Sequence, residues 1–160
     1  MCMSKIISTL TLIFLLGSFK ISYCQNHTIE TVGDITQLAL PATAVAMLII
    51  KKDKKGVWQY AKACGTTILV TRILKEVVVK ERPGEAWSFD SFPSGHTSIA
   101  FSGASFLQKR YGWKYGIPAY ALATFTGYSR VYAKKHDIID VLAGATIGIG
   151  STYLLKFRTQ

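Results

Sequence analysis

The sequence holds 160 residues, room for one domain, since domains commonly run to ~100–200 residues. Hydrophobic residues make up 49% of it and the net charge is +10, so the partners to consider are phosphate, anionic lipid and nucleic acid. Nucleic acid is disfavoured, because the lysines gather in short groups between apolar segments, as positive-inside membrane anchors do, rather than along one polar face. Cys2, Cys24 and Cys64 form no zinc or redox spacing, and no structural disulfide is expected.

The first two dozen residues read as an export signal or a retained first transmembrane helix. Lys5 opens them, Ile6 to Leu16 form the apolar stretch, and Ser22-Tyr23-Cys24 offers a cleavage site. Lipidation of Cys24 is a third reading, which Tyr23 fits poorly. Residues 25–160 are then the functional domain. Gly33 to Ile50 is apolar with Pro41 inside it, and short for a crossing of ~20 residues. A charged turn, Lys51 to Gly56, separates it from Val57 to Val79, which is long enough to span although Gln59, Lys62 and Arg72 make it partly polar. Pro83 and Gly84 stop that helix in the loop Lys80 to Phe92.

A third helix is predicted from Ser94 to about Leu107, ended by Gln108-Lys109-Arg110. A fourth runs from Trp113 to about Tyr132, and a fifth from Ile138 to Phe157 with Gly144-x-x-x-Gly148 inside it, a spacing that lets helices approach closely. With a cytoplasmic N-terminus, Lys51–Lys55, Lys109–Lys114 and Lys156–Arg158 fall inside, while Lys80–Phe92 and Arg130–Asp137 fall together outside.

Three blocks share that outer end. Lys75 and Arg82 are seven residues apart and share a face if their helix persists to Pro83. Pro93-Ser94-Gly95-His96 opens a helix, whose free N–H groups and dipole favour an anion; Ser94 caps that helix or binds the same anion, and Gly95 admits an oxygen close to the backbone. His136 and Asp140 are four apart, so the carboxylate can hold one ring nitrogen and leave the other free to attack. With Arg130, the inventory is three fixed cations, two histidines and one carboxylate, which suits phosphoryl chemistry; with only Asp90 and Asp137 as nearby extras it makes a poor metal site.

Lys-x6-Arg-Pro, Pro-Ser-Gly-His and Ser-Arg-x5-His-x3-Asp resemble, in order and spacing, the three signature blocks of the type 2 phosphatidic acid phosphatase superfamily, which also includes vanadium haloperoxidases and bacterial acid phosphatases. The resemblance covers roughly Gly33 to Phe157. It implies an all-α membrane bundle of five to six helices; six, the usual count, requires the N-terminal segment to be retained.

It also implies a metal-independent phosphatase with no cofactor, in which His136 attacks phosphorus, Asp140 orients it and His96 protonates the departing oxygen. Lys75, Arg82, Arg130, Ser94 and the Gly95 N–H would bind the phosphoryl oxygens. The expected setting is the inner membrane, multi-pass, with the site facing the extracytoplasmic side and membrane lipids around it. The expected substrate is a lipid phosphate, with phosphatidic acid, phosphatidylglycerol phosphate, lipid A and undecaprenyl pyrophosphate all open. Trp87, Phe89 and Phe92 either meet the membrane interface or simply pack the loop.

A non-specific acid phosphatase is one alternative. A haloperoxidase-like oxidoreductase with vanadate on His136 is another, disfavoured by the small apolar chain. A non-catalytic binder of anionic lipid is disfavoured by the intact His96, His136 and Asp140.

Overall fold

The computed structural model describes residues 27–85 and 87–154, so the predicted export signal or first helix lies outside the described residues. Five helices run in order: α1 His27–Ile50, α2 Lys54–Val77, α3 Gly95–Tyr111, α4 Trp113–Tyr132 and α5 Ile138–Leu154. The described residues contain no strand, only the isolated bridges Lys80↔Asp90 and Arg82↔Glu85.

Helix α3 is the axis of the bundle and touches each of the other four. Its sequence explains why. Ser98, Ala100, Ser102, Gly103, Ala104 and Ser105 are all small and buried, so neighbouring backbones come close on several sides. The predicted glycine pair is used in this way. A Cβ on Gly144 would stand 2.5 Å from the Ser94 carbonyl oxygen, and one on Gly148 would stand 2.4 Å from that of Ser98, so α5 lies directly on the α3 backbone. Across the packed faces hydroxyls bond one another, as Thr36 with Thr126 at 2.8 Å and Ser105 with Thr152 at 2.9 Å. Leu40, Leu48, Tyr60, Phe106 and Leu107 fill the core toward the α1–α2 turn. Large apolar side chains such as Ile35, Leu38, Ile49, Leu69, Ile117 and Leu142 face outward.

Three boundaries differ from expectation. Helix α1 begins at His27 and spans 24 residues, ~36 Å at 1.5 Å per residue, so it is long and apolar enough to cross a membrane. Its polar first turns are held by partners distant in sequence: Glu30 pairs with Lys135 and Asp34 with Arg130. Helix α2 stops at Val77, so Lys75 and Arg82 do not share a helix face. Helix α3 continues past Leu107 to Tyr111, where Gly112 at φ 91° ends it.

The continuation is explained by Arg110, which is buried rather than an exposed anchor. Arg110 Nε donates to Asp53 Oδ2 at 2.7 Å and Nη2 to Oδ1 at 2.6 Å, and Asp53 also accepts the Gly56 N–H at 2.9 Å as the α2 N-cap. The pairing with Arg110, opposed by burial, holds the Asp53 carboxyl below its usual range. This ion pair locks the α1–α2 turn onto the end of α3. Asp53→Ala should cost ~3–5 kcal/mol by removing the carboxylate that neutralises a buried guanidinium, whereas Asp53→Leu with Arg110→Met should be near neutral. Thermal unfolding of the purified variants checks this, and equal losses in both would contradict it.

Candidate active site

The end of the bundle opposite the Asp53–Arg110 pair gathers the residues singled out in the sequence. Beyond Val77 the chain is extended, and the Arg82 N–H donates to the Ser88 carbonyl at 2.9 Å while the Ser91 N–H donates to that of Lys80 at 3.0 Å. This small loop, rather than a continued helix, carries Arg82 back over α2. Arg82 grips Asp90 with two donors, Nε at 2.9 Å and Nη2 at 3.1 Å, and Lys75 Nζ lies 3.7 Å from the same carboxylate while donating to the Asp90 carbonyl. The bidentate Arg82 bond, against the opposing effect of burial, pushes the Asp90 carboxyl down to about 2.

Ser94 is fully buried and caps α3, its Oγ accepting the Thr97 N–H at 3.5 Å and lying 2.9 Å from Thr97 Oγ1. The side chain thus takes the capping alternative. The helix start faces Lys75, whose Cε would stand 3.9 Å from a Cβ on Gly95. The Ser94 N–H donates to the Asp140 carbonyl at 3.0 Å, which ties the second block to the third.

Asp140 is fully buried. Lys80 Nζ donates to its Oδ1 at 2.6 Å, and Ser91 Oγ at 2.6 Å and the Asp137 N–H at 3.0 Å donate to its Oδ2. The carboxylate is therefore well satisfied before His136 is considered, and His136 Nδ1 stands 3.8 Å from Oδ2, without a hydrogen-bond partner. The predicted pair is brought together, as an electrostatic contact rather than a hydrogen bond. His136 is itself 4% exposed. Burial first, and the Lys75 charge next, push its imidazole down to about 4, with the Ser91 backbone and Asp140 pulling the other way.

Arg130 is 1% exposed, and each of its three guanidinium nitrogens lies against a protein atom. Nε donates to Ser129 Oγ at 3.2 Å, Nη2 to the Glu30 carbonyl at 2.9 Å, and Nη1 lies 2.8 Å from Asp34 Oδ1. Helix α1 reaches it through Gly33, where a Cβ would fall 1.9 Å from Ser129 Oγ. The same Asp34 oxygen lies 3.1 Å from His96 Nε2. Among the described residues, no group of three or more His, Cys, Asp or Glu could hold a metal ion.

Two recesses flank the cluster. A polar cavity of about 540 Å³ is lined by Glu30, Glu85, Lys134 and Lys135 beside Pro83 and Gly84. An apolar groove of about 180 Å³ runs between α2 and α3, past Ile68, Thr71 and Ile99 to Lys75 and Gly95. Trp87 is 86% exposed at the tip of the loop, Phe89 is exposed and Phe92 half-buried.

Lys80, Ser91 and Asp34 were not singled out by the sequence reading. Two of them left signals. Lys80 and Arg82 alternate in an extended segment and so leave it on one side, and Asp34 is an ionisable residue in an apolar helix, which by itself flags function. Ser91 left none.

Comparison with known proteins identifies the family. The sequence model of the PAP2 superfamily matches residues 10–158. The chain is 34% identical over 143 residues to the lipid A 4'-phosphatase of Helicobacter pylori strain J99, a match covering 82% of this chain and 71% of that one. It is 34% identical over 113 residues to the lipid A 1-phosphatase of Helicobacter pylori strain 26695, covering 66% of this chain and 60% of the relative. Its fold is similar to the crystal structure of LpxE from Aquifex aeolicus, with a TM-score of 0.70 at 23% identity over 91% of this chain and 92% of the other. The chain belongs to the PAP2 superfamily and is a phosphatase.

Proposed function

We propose that the protein removes phosphate from a membrane lipid through a phosphohistidine on His136, and that a lipid A phosphate is the first substrate to test. The observation that carries the substrate is the likeness, over most of the chain, to the lipid A 4'-phosphatase. The apolar groove ending at Lys75 and Gly95 supports a lipid, since it offers a hydrocarbon chain a path to the phosphate-binding end.

In this reading Lys75 and Arg82 take the phosphoryl oxygens in exchange for Asp90, and the N–H groups at the start of α3 add a partial positive charge. Arg130 contributes charge from behind, since it is buried, with Nε and Nη2 bonded to protein atoms and Nη1 beside Asp34. His136 Nδ1 faces Asp140, so Nε2 attacks phosphorus, and the buried carboxylate stabilises the imidazolium that forms. The P–O bond to the lipid breaks as His96 gives its proton to the leaving oxygen. Water, deprotonated by His96, then attacks phosphorus, the P–N bond breaks and inorganic phosphate leaves.

The setting proposed is a multi-pass protein of the inner membrane with the site on the extracytoplasmic side. Large apolar residues facing outward support this, as do Lys51, Lys52, Lys54, Lys55, Lys109 and Lys114 at the opposite end. Residues 1–24 are proposed to be the export signal or a first helix, and 25–160 the phosphatase domain.

Purified protein with EDTA should release phosphate from lipid A and from at least one of phosphatidic acid, phosphatidylglycerol phosphate or undecaprenyl pyrophosphate. Release from a soluble aryl phosphate alone would reject the lipid reading. His136→Ala should fold and lose about a thousandfold or more in turnover; appreciable metal-free activity would reject the nucleophile. Because the neutral imidazole is the attacking form and its pKa lies near 4, His136 should stay neutral as pH falls through the ordinary histidine range. Titration followed by NMR of histidine-labelled protein checks this, and a His136 transition near 6.5 would contradict the buried geometry.

A further inference from the structure

Asp34 lies outside all three signature blocks, in the second turn of α1, and its Oδ1 stands between two of the residues those blocks supply: His96 Nε2 at 3.1 Å and Arg130 Nη1 at 2.8 Å. Arg130 is fully buried and fixed by hydrogen bonds to Ser129 Oγ and to the Glu30 carbonyl, so Asp34 is ion-paired with a rigid support although its own side chain is half-exposed. Gly33, the residue before it, packs on Ser129 and fixes the height of α1 against α4. The charged groups facing His96 are Asp34 from α1, Arg130 from α4 and Lys135 from the loop after α4. Among them only Asp34 is negative. Without it the imidazole would face two cations, which disfavour the protonated form that a proton donor needs.

We propose that Asp34 is the positioning residue of the leaving-group acid. It holds His96 by Nε2, favours the protonated ring against burial and two cations, and leaves Nδ1 as the nitrogen that gives the proton to the departing oxygen. The site then contains two carboxylate–imidazole pairs, Asp140 behind the nucleophile and Asp34 behind the acid, each supplied by a different helix. The inference rests on the acid role given to His96 above. The proton balance is simple: the N–H bond at Nδ1 breaks as the lipid O–H bond forms, and the neutral ring takes a proton back from the water that attacks phosphohistidine.

The test uses leaving-group dependence, because an alkyl oxygen needs a proton to leave and a nitrophenolate does not. Wild type, Asp34→Asn, Asp34→Glu and His96→Ala are assayed on a lipid phosphate and on p-nitrophenyl phosphate across pH. General acid catalysis contributes ~10²–10⁴-fold. Asp34→Asn should therefore lose about a hundredfold in kcat on the lipid and less than about fivefold on the aryl ester, in parallel with His96→Ala. The alkaline limb of its kcat/KM profile should move to lower pH, and Asp34→Glu should restore part of both.

Equal losses of Asp34→Asn on the two substrates, with an unmoved alkaline limb, would make Asp34 structural and overturn the proposal. If His96→Ala itself shows no leaving-group dependence, the acid role fails and the proposal fails with it. If His96→Ala shows it and Asp34→Asn does not, only the Asp34 inference falls.

Discussion

The contact on which the site depends involves no charged group of its own. Helix α5 can lie on the first turns of α3 only because Gly144 and Gly148 have no side chains; a single Cβ at either would overlap a carbonyl of α3. That approach lets the Ser94 N–H reach the Asp140 carbonyl. The serine block and the histidine–aspartate block, separated by some forty residues in sequence, therefore meet at the start of two adjacent helices. Small residues along α3 extend the same logic to α1, where Gly103 meets the backbone at Leu40 and Pro41. Much of the bundle is held by backbone proximity and hydroxyl pairs inside, with many of its large apolar side chains outside, the arrangement that a hydrocarbon surrounding favours.

Within that frame the electrostatics are matched in pairs. Lys75 and Arg82 share Asp90, Arg130 and His96 share Asp34, and Lys80 satisfies Asp140. A phosphate is the ligand that such a site exchanges well. It can replace the Asp90 carboxylate on a bidentate guanidinium, while Asp140, fully buried, stays in place beside His136. The buried His136 illustrates the balance: desolvation and the Lys75 charge keep it neutral, and the nearby Asp140 would lower the cost of the positive charge that the proposed phosphoryl transfer places on it.

Much of this was legible in the sequence, for reasons that differ by element. The three blocks were visible because phosphoryl chemistry needs particular residue types at fixed spacings, and the geometry brings them to one end. The Gly144–Gly148 contact was visible as a spacing. The extent of α1 was not, because Glu30 and Asp34 are stabilised by Lys135 and Arg130 about a hundred residues away, which no local pattern encodes. Arg110 read as part of the charged turn that ends its helix, because the Asp53 that buries it is also remote, 57 residues away. The same blindness hid Ser91, whose meaning lies in the carboxylate of Asp140 and not in its neighbours, while Lys80 showed only its alternation with Arg82.

The central claim, that His136 becomes the phosphoryl carrier, is tested most directly by trapping. Protein turning over a lipid phosphate labelled in its phosphoryl group would be quenched in base, digested and mapped. The account predicts label on the peptide containing His136, stable in base, lost in acid, and missing from a His136→Ala variant. Turnover with no protein-bound label under rapid quench, or label on His96, would contradict it.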